Sequence, residues 1–161
     1  MKVIKNAEII EDNWQLIREP HAEALPEGEL IVPFKFWKEN ETLFAGRESG
    51  TGIWIDGSVD VEDIVDYLDR FPIIALDFPA FTDGRCYSHA RLLKQRYHYS
   101  GDMRAIGDVL RDQLFYMMRC GFDSFQLRDD KDYEDALNGF RDFSVTYQGA
   151  VDDEVPVYRR R

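Results

Sequence analysis

Three short apolar runs, Ile73 to Leu76, Met103 to Ile106 and Phe125 to Leu127, alternate with helical patterns along the C-terminal two thirds of this chain. That alternation constrains the fold more than any other feature. Strands separated by helix-length segments pair in parallel, and the crossovers are right-handed. Polar residues gather just after the runs: Asp77, then Thr82, Asp83, Gly84 and Arg85, then Gly107 and Asp108, then Arg128 and Asp129. In a parallel sheet all of these lie at one end, where α/β folds place their sites.

The units can be traced in order. Residues 1 to 18 read as an N-terminal β-hairpin, with Ile9 and Ile10 before a Glu11-Asp12-Asn13 turn and Trp14 to Ile17 after it. Residues 19 to 29, acidic and holding Pro20, Pro26 and Gly28, form a connector. Leu30 to Val32 and Ile53 to Ile55 are strand candidates. Between them lies an aromatic segment, Phe34, Phe36 and Trp37, of undecided form, and a loop with turn glycines at 46, 50 and 52. Val61, Ile64, Val65 and Leu68 repeat at helical spacing and predict a helix that Pro72 closes. A second helix is predicted from Gly84 to Tyr97, with Cys86, Ala90, Leu93 and Tyr97 inward. A third runs from Asp108 to Cys120, with Gly121 as its stop, and a fourth carries Tyr133, Ala136, Leu137 and Phe140.

The result is an α/β domain of repeated βα units over residues 30 to 144, forming a mainly parallel sheet. An irregular tail, 145 to 161, ends in three arginines, with Tyr158 a candidate anchor. Four or five units do not close an eight-unit barrel. An open layered sheet is favoured, and a half-barrel, its edges covered by the hairpin or by a second copy in a homo-oligomer, is the alternative.

At 161 residues and 44% hydrophobic, one domain with a full core is expected. The N-terminus has acids where a signal peptide needs an apolar segment, and no run approaches membrane-spanning length. A cytoplasmic protein off the membrane is therefore expected. Thirty-one acids against twenty bases give a net charge of −11, which argues against nucleic acid as a partner. Between Arg85 and Arg111, however, six bases stand against two acids, a local +4. Either two helix faces carry solvated bases, or this segment meets an anion or an acidic partner.

The chemistry-bearing candidates follow from position. Asp77 at a strand end suits a general acid or base or a metal ligand, or else a structural carboxylate fixing the Phe78-Pro79 turn. Thr82, Asp83, Gly84 and Arg85 open a helix whose N–H groups, with Arg85, suit an oxyanion; the plainer reading is an N-cap. Ser88 and His89 follow one turn on, His89 as a proton donor or as a solvated side chain. Gly107 and Asp108 repeat the strand-end pattern with Arg111 a turn later, so Asp108 is a second candidate acid/base or a helix cap. Arg104, on a strand, is expected to pair with Asp77 or Asp108 if it points inward. Cys86, Cys120, Met117 and Met118 read as core. No nucleotide fingerprint, phosphate loop, cysteine quartet or His-rich metal motif is present, so no metal is assigned and any cofactor stays unknown.

LDFPAFTDGRCYSHARLL, MRAIGDVLRDQLFYMMRCGFDSF and the arginine-ended tail resemble a family of uncharacterised bacterial proteins assigned as oxidoreductases involved in sulfite reduction. The likeness covers Gly52 to Arg161. It implies that Asp77, Phe81, Thr82, Asp83, Gly84, Arg85, Ser88, Arg91, Gly107, Asp108, Arg111, Asp112, Gln113 and the Cys120-Gly121-Phe122 turn belong to recurring motifs. The family pattern has Gly where Cys86 stands, which counts against that thiol as a shared redox centre. The resemblance implies a role beside the sulfite reductase machinery, as an accessory whose rim binds an oxyanion or docks a partner. The alternatives are an enzyme using an Asp acid/base on a sulfur-bearing substrate, and a non-catalytic structural subunit.

Overall fold

The computed structural model describes residues 1–79, 84–128 and 130–144, the side chains of 140–144 excepted. Thr82, Asp83, Asp129 and the tail with Tyr158 therefore lie outside the described residues. The elements in chain order are β1 (Lys2–Lys5), β2 (Glu8–Glu11), β3 (Gln15–Leu16), β4 (Leu30–Pro33), α1 (Phe34–Glu39), β5 (Thr51–Ile55), β6 (Ile73–Phe78), α2 (Arg85–Arg91), β7 (Asp102–Gly107), α3 (Leu114–Arg119), β8 (Ser124–Phe125) and α4 (Tyr133–Ser144). All eight strands join one sheet in the order β2-β1-β8-β7-β6-β5-β4-β3. β3 to β8 run parallel, while β1 lies antiparallel to both β8 and β2.

That order forces the sheet to curl. β2 and β3 are its two edges, yet only residues 12 to 14 separate them in sequence. Seven interstrand gaps would span about 34 Å if flat. The chain from Glu11 to Gln15 reaches at most about 14 Å. The edges are drawn together, and of the two expected arrangements the half-barrel is the one formed. Strand alternation then sorts side chains between an outer, helix-covered face and an inner face. Ile74, Leu76, Phe78, Met103 and Ala105 pack outward with Ala90, Leu93, Leu114 and Met117. Ile31, Ile73, Ala75 and Ile106 point inward and meet Trp14, Leu16 and Trp54.

The hairpin forms, but its turn is at Asn6-Ala7, both with positive φ (54° and 59°), and not at residues 11–13. Two left-handed residues make the primed turn that matches strand twist. Residues 12–14 instead strap the mouth of the half-barrel, and β3 leaves the hairpin to pair with β4. The expected helix at Val61–Leu68 is two 3₁₀ segments, Val61–Asp63 and Val65–Arg70. Over so short a run, spacings of three and four do not separate 3.0 from 3.6 residues per turn. The second helix is α2 continued by a π turn over Leu92–Arg96. The third is a 3₁₀ turn, Arg111–Gln113, leading into α3, so Gln113 rather than Asp108 precedes the α-helical residues. Gly121 ends α3 as expected. At φ 112° it donates to Met118 O while Phe122 N donates to Met117 O, a paired C-terminal closure.

Arg104 is buried on the inner face of β7, 1% exposed. It pairs not with Asp77 or Asp108 but with Asp12 of the strap, through Nη2. Its Nε donates to Ser124 Oγ at 2.8 Å, and Ser124 Oγ donates to Asp102 Oδ1 at 2.7 Å. Lys5 Nζ reaches Asp102 at 3.1 Å. The strap brings the Asp12 carboxylate directly onto Arg104 of β7.

Candidate binding site at the carboxyl ends of the strands

Parallel strands β3 to β8 deliver their carboxyl ends to one lip of the half-barrel, where a cleft of about 790 Å³ opens. Asp77, Gly107 and Asp108 line it. These are three of the residues expected there, brought together from β6 and from the end of β7. Asp77 is 7% exposed. Its Oδ2 pairs with Arg18 Nη1 at 2.9 Å, while its Oδ1 is buried with no hydrogen-bond partner among the described residues. Gly107 makes this possible. At φ 89° it lies so close that a Cβ would collide with Asp77 Oδ1 and with Phe78 O. Asp108 N donates to Phe78 O at 2.7 Å, locking the end of β7 to β6.

Two arginines complete the lip. Arg18 follows β3 and spreads over the Trp54 ring at 5.1 Å, while Trp54 Nε1 donates to Ile17 O at 3.0 Å. Arg128 follows β8 and pairs through Nη1 with Asp108 Oδ1 at 2.9 Å, and more loosely with Asp130. The hydrogen bond to Asp108, with the charges of Asp130 and Asp108 behind it, raises the Arg128 pKa above the ordinary guanidinium value. The Arg18 and Arg128 side chains are 44% and 51% exposed, so each keeps N–H donors directed at solvent. Gln126 lines the same cleft; its Oε1 is buried without a partner among the described residues. The lip thus presents guanidinium donors at two points, Arg18 and Arg128, among the carboxylates of Asp77, Asp108 and Asp130.

The other expected site residues stand apart from this cleft. Gly84 and Arg85 begin α2, and Arg85 packs its Cβ and Cδ over Gly57, just beyond the end of β5. That is the same end of the sheet but not the cleft wall. Ser88 is exposed and His89 half-buried along α2, with His89 Nε2 buried and unpartnered among the described residues. Arg104 lies inside the half-barrel. Arg111 sits at the α4 surface, where Nη1 bonds both Asp135 oxygens at 2.9 Å. Arg18, Gln126 and Trp54 were not anticipated, and a two-residue strand such as β3 leaves no periodic signal to find Arg18. Arg128 obeyed the strand-end rule that selected Asp77 and could have been chosen by it. Among the described residues, no group of three His, Cys, Asp or Glu side chains gathers to hold a metal, and no helix is long and apolar enough to cross a membrane.

Fold and site together define a half-barrel α/β protein with an arginine-and-carboxylate cleft at its strand ends. Residues 52–158 match the family described as bacterial protein of unknown function (DUF934), and the chain belongs to that family. No curated protein and no solved structure matches the chain significantly.

Proposed function

We propose that this chain is a cytoplasmic accessory of sulfite reduction whose strand-end cleft binds a small oxyanion. The sulfur-pathway assignment rests on the sequence resemblance. The binding assignment rests on one observation: Arg18 and Arg128, 110 positions apart (128 less 18), stand on a single cleft, each steadied by a carboxylate and each with donors left over. They take the role that sequence reasoning gave to Arg85 and Arg111. An oxyanion accepts hydrogen bonds from both guanidinium groups, and charge-assisted bonds of this kind are the strong ones. Asp77 and Asp108 act as positioning residues, holding the arginines extended across the lip.

Calorimetric titration with sulfite, sulfate and phosphate tests the binding. Saturable binding of at least one anion is expected, weakened about tenfold or more in Arg128→Ala and in Arg18→Ala. Unchanged affinity in both variants would remove the cleft from the account. Growth on sulfate but not on cysteine should suffer on deletion of the gene; equal growth on both would sink the pathway assignment.

A second reading is favoured by Asp77 itself. A carboxylate 93% buried, with one oxygen unpartnered among the described residues, suits proton transfer to a sulfur-bearing substrate. Turnover of such a substrate by wild-type protein and not by Asp77→Asn would support the enzyme over the binding accessory. Salt-sensitive co-purification with the reductase would instead support docking of the machinery on the basic 85–111 segment.

A further inference from the structure

The strand-end cleft continues past Gln126. A second cavity of about 520 Å³ opens on the far side of that residue, and Leu16 and Gln126 line both. Its other described walls are Met1, Lys2, Lys131 and Tyr133, with no carboxylate among these described residues. On a chain with 31 acids and 20 bases, a compartment whose described lining carries two lysines and no acid is a local inversion of charge among the described residues. Lys2 stands over the Tyr133 ring at 5.3 Å, and neither Lys2 nor Lys131 forms an ion pair among the described residues. Tyr133 is itself fixed: its hydroxyl donates to Lys2 O at 2.9 Å and accepts from Leu127 N at 3.0 Å.

Gln126 stands at the junction. Its backbone is tied into the sheet by donation to Ala105 O at 2.9 Å, yet its side-chain Oε1 is buried without a partner among the described residues. Buried polar groups are ordinarily satisfied, and an unpartnered amide oxygen on a residue lining both cavities points to a ligand that passes it. We propose that the two cavities form one groove for an organic dianion. One anionic group sits at Arg18 and Arg128, the second at Lys2 and Lys131, and a hydrogen-bonding spacer lies against the Gln126 amide. This rests on the reading of the arginine end as an oxyanion site. Because β1 and β8 are neighbouring strands, a spacer on the order of 10 Å or less joins the two ends.

Full-length protein titrated with inorganic phosphate and with a series of α,ω-alkanebisphosphonates of increasing length tests the groove. At one length the bisphosphonate should bind at least tenfold tighter than phosphate. Lys131→Glu should abolish that advantage while leaving phosphate binding intact; Lys131 is exposed, so its replacement does not disturb folding. Arg128→Ala should weaken both ligands. Bisphosphonates no tighter than phosphate, or an advantage that survives Lys131→Glu, would overturn the groove while Arg128-dependent phosphate binding still stood. Bisphosphonate binding indifferent to Arg128→Ala would overturn the groove and the arginine site together, as would no binding of either ligand.

Discussion

Single side chains carry two different burdens here. Arg104 is enclosed with Asp12, Asp102, Ser124 and Lys5, and its truncation would strip the Asp12 carboxylate of its guanidinium partner and empty a buried site, while Asp102 keeps Lys5. Arg104→Ala should cost about 3–5 kcal/mol, read as a lower denaturant midpoint at constant slope. Gly107→Ala should cost upwards of about 1 kcal/mol, because it forces a left-handed backbone and drives a methyl into Asp77 and Phe78. Tyr99 is buried and its hydroxyl donates to Phe71 O at 2.6 Å. Burial, with Asp102 and Asp123 nearby, pushes its phenol well above the ordinary value of about 10. The folded state keeps the proton that the unfolded state loses. Stability from this group is therefore complete below about pH 10 and falls as pH rises beyond it. Tyr99→Phe should lower neutral-pH stability by about 1 kcal/mol and flatten the alkaline loss measured by pH-dependent unfolding.

At the scale of elements, the N-terminal hairpin and its strap decide whether the barrel mouth is closed. Ala7 occupies a left-handed position in the β1–β2 turn, where a side chain is unfavourable. Ala7→Gly should raise stability by up to about 1 kcal/mol, seen as a higher melting temperature. The strap explains why the hairpin turn was misplaced in the sequence reading. Glu11-Asp12-Asn13 has turn composition, but Asp12 is drawn to Arg104 of β7, and such a pairing across 92 positions has no local signature. The segment after β5 shows the reverse limit. Its apolar spacing was legible, and Val61, Ile64 and Leu68 are indeed buried, yet the type of helix was settled by the short span between two paired strands.

For the whole molecule, the hairpin is integral to the sheet. β1 pairs with β8, and the strap supplies the carboxylate that neutralises the interior. A chain lacking residues 1–13 should lose cooperative unfolding, judged by non-coincident transitions of different optical probes. A transition as sharp as that of the full chain would show that the parallel strands form an independent unit.

Sequence alone determined the parallel βα order, the end of the sheet that carries the polar residues, and the core faces. Those properties depend on near-neighbour periodicity and on the fixed hand of crossovers, which any chain with this pattern obeys. Tertiary structure decided the curl of the sheet, the pairing of Arg104 with Asp12, and the meeting of Arg18 with Asp77 and of Arg128 with Asp108. Each of these depends on which strands become neighbours when the two edges are pulled together. Three residues between β2 and β3 impose that closure, and it is a constraint of length across the whole sheet that no local pattern records.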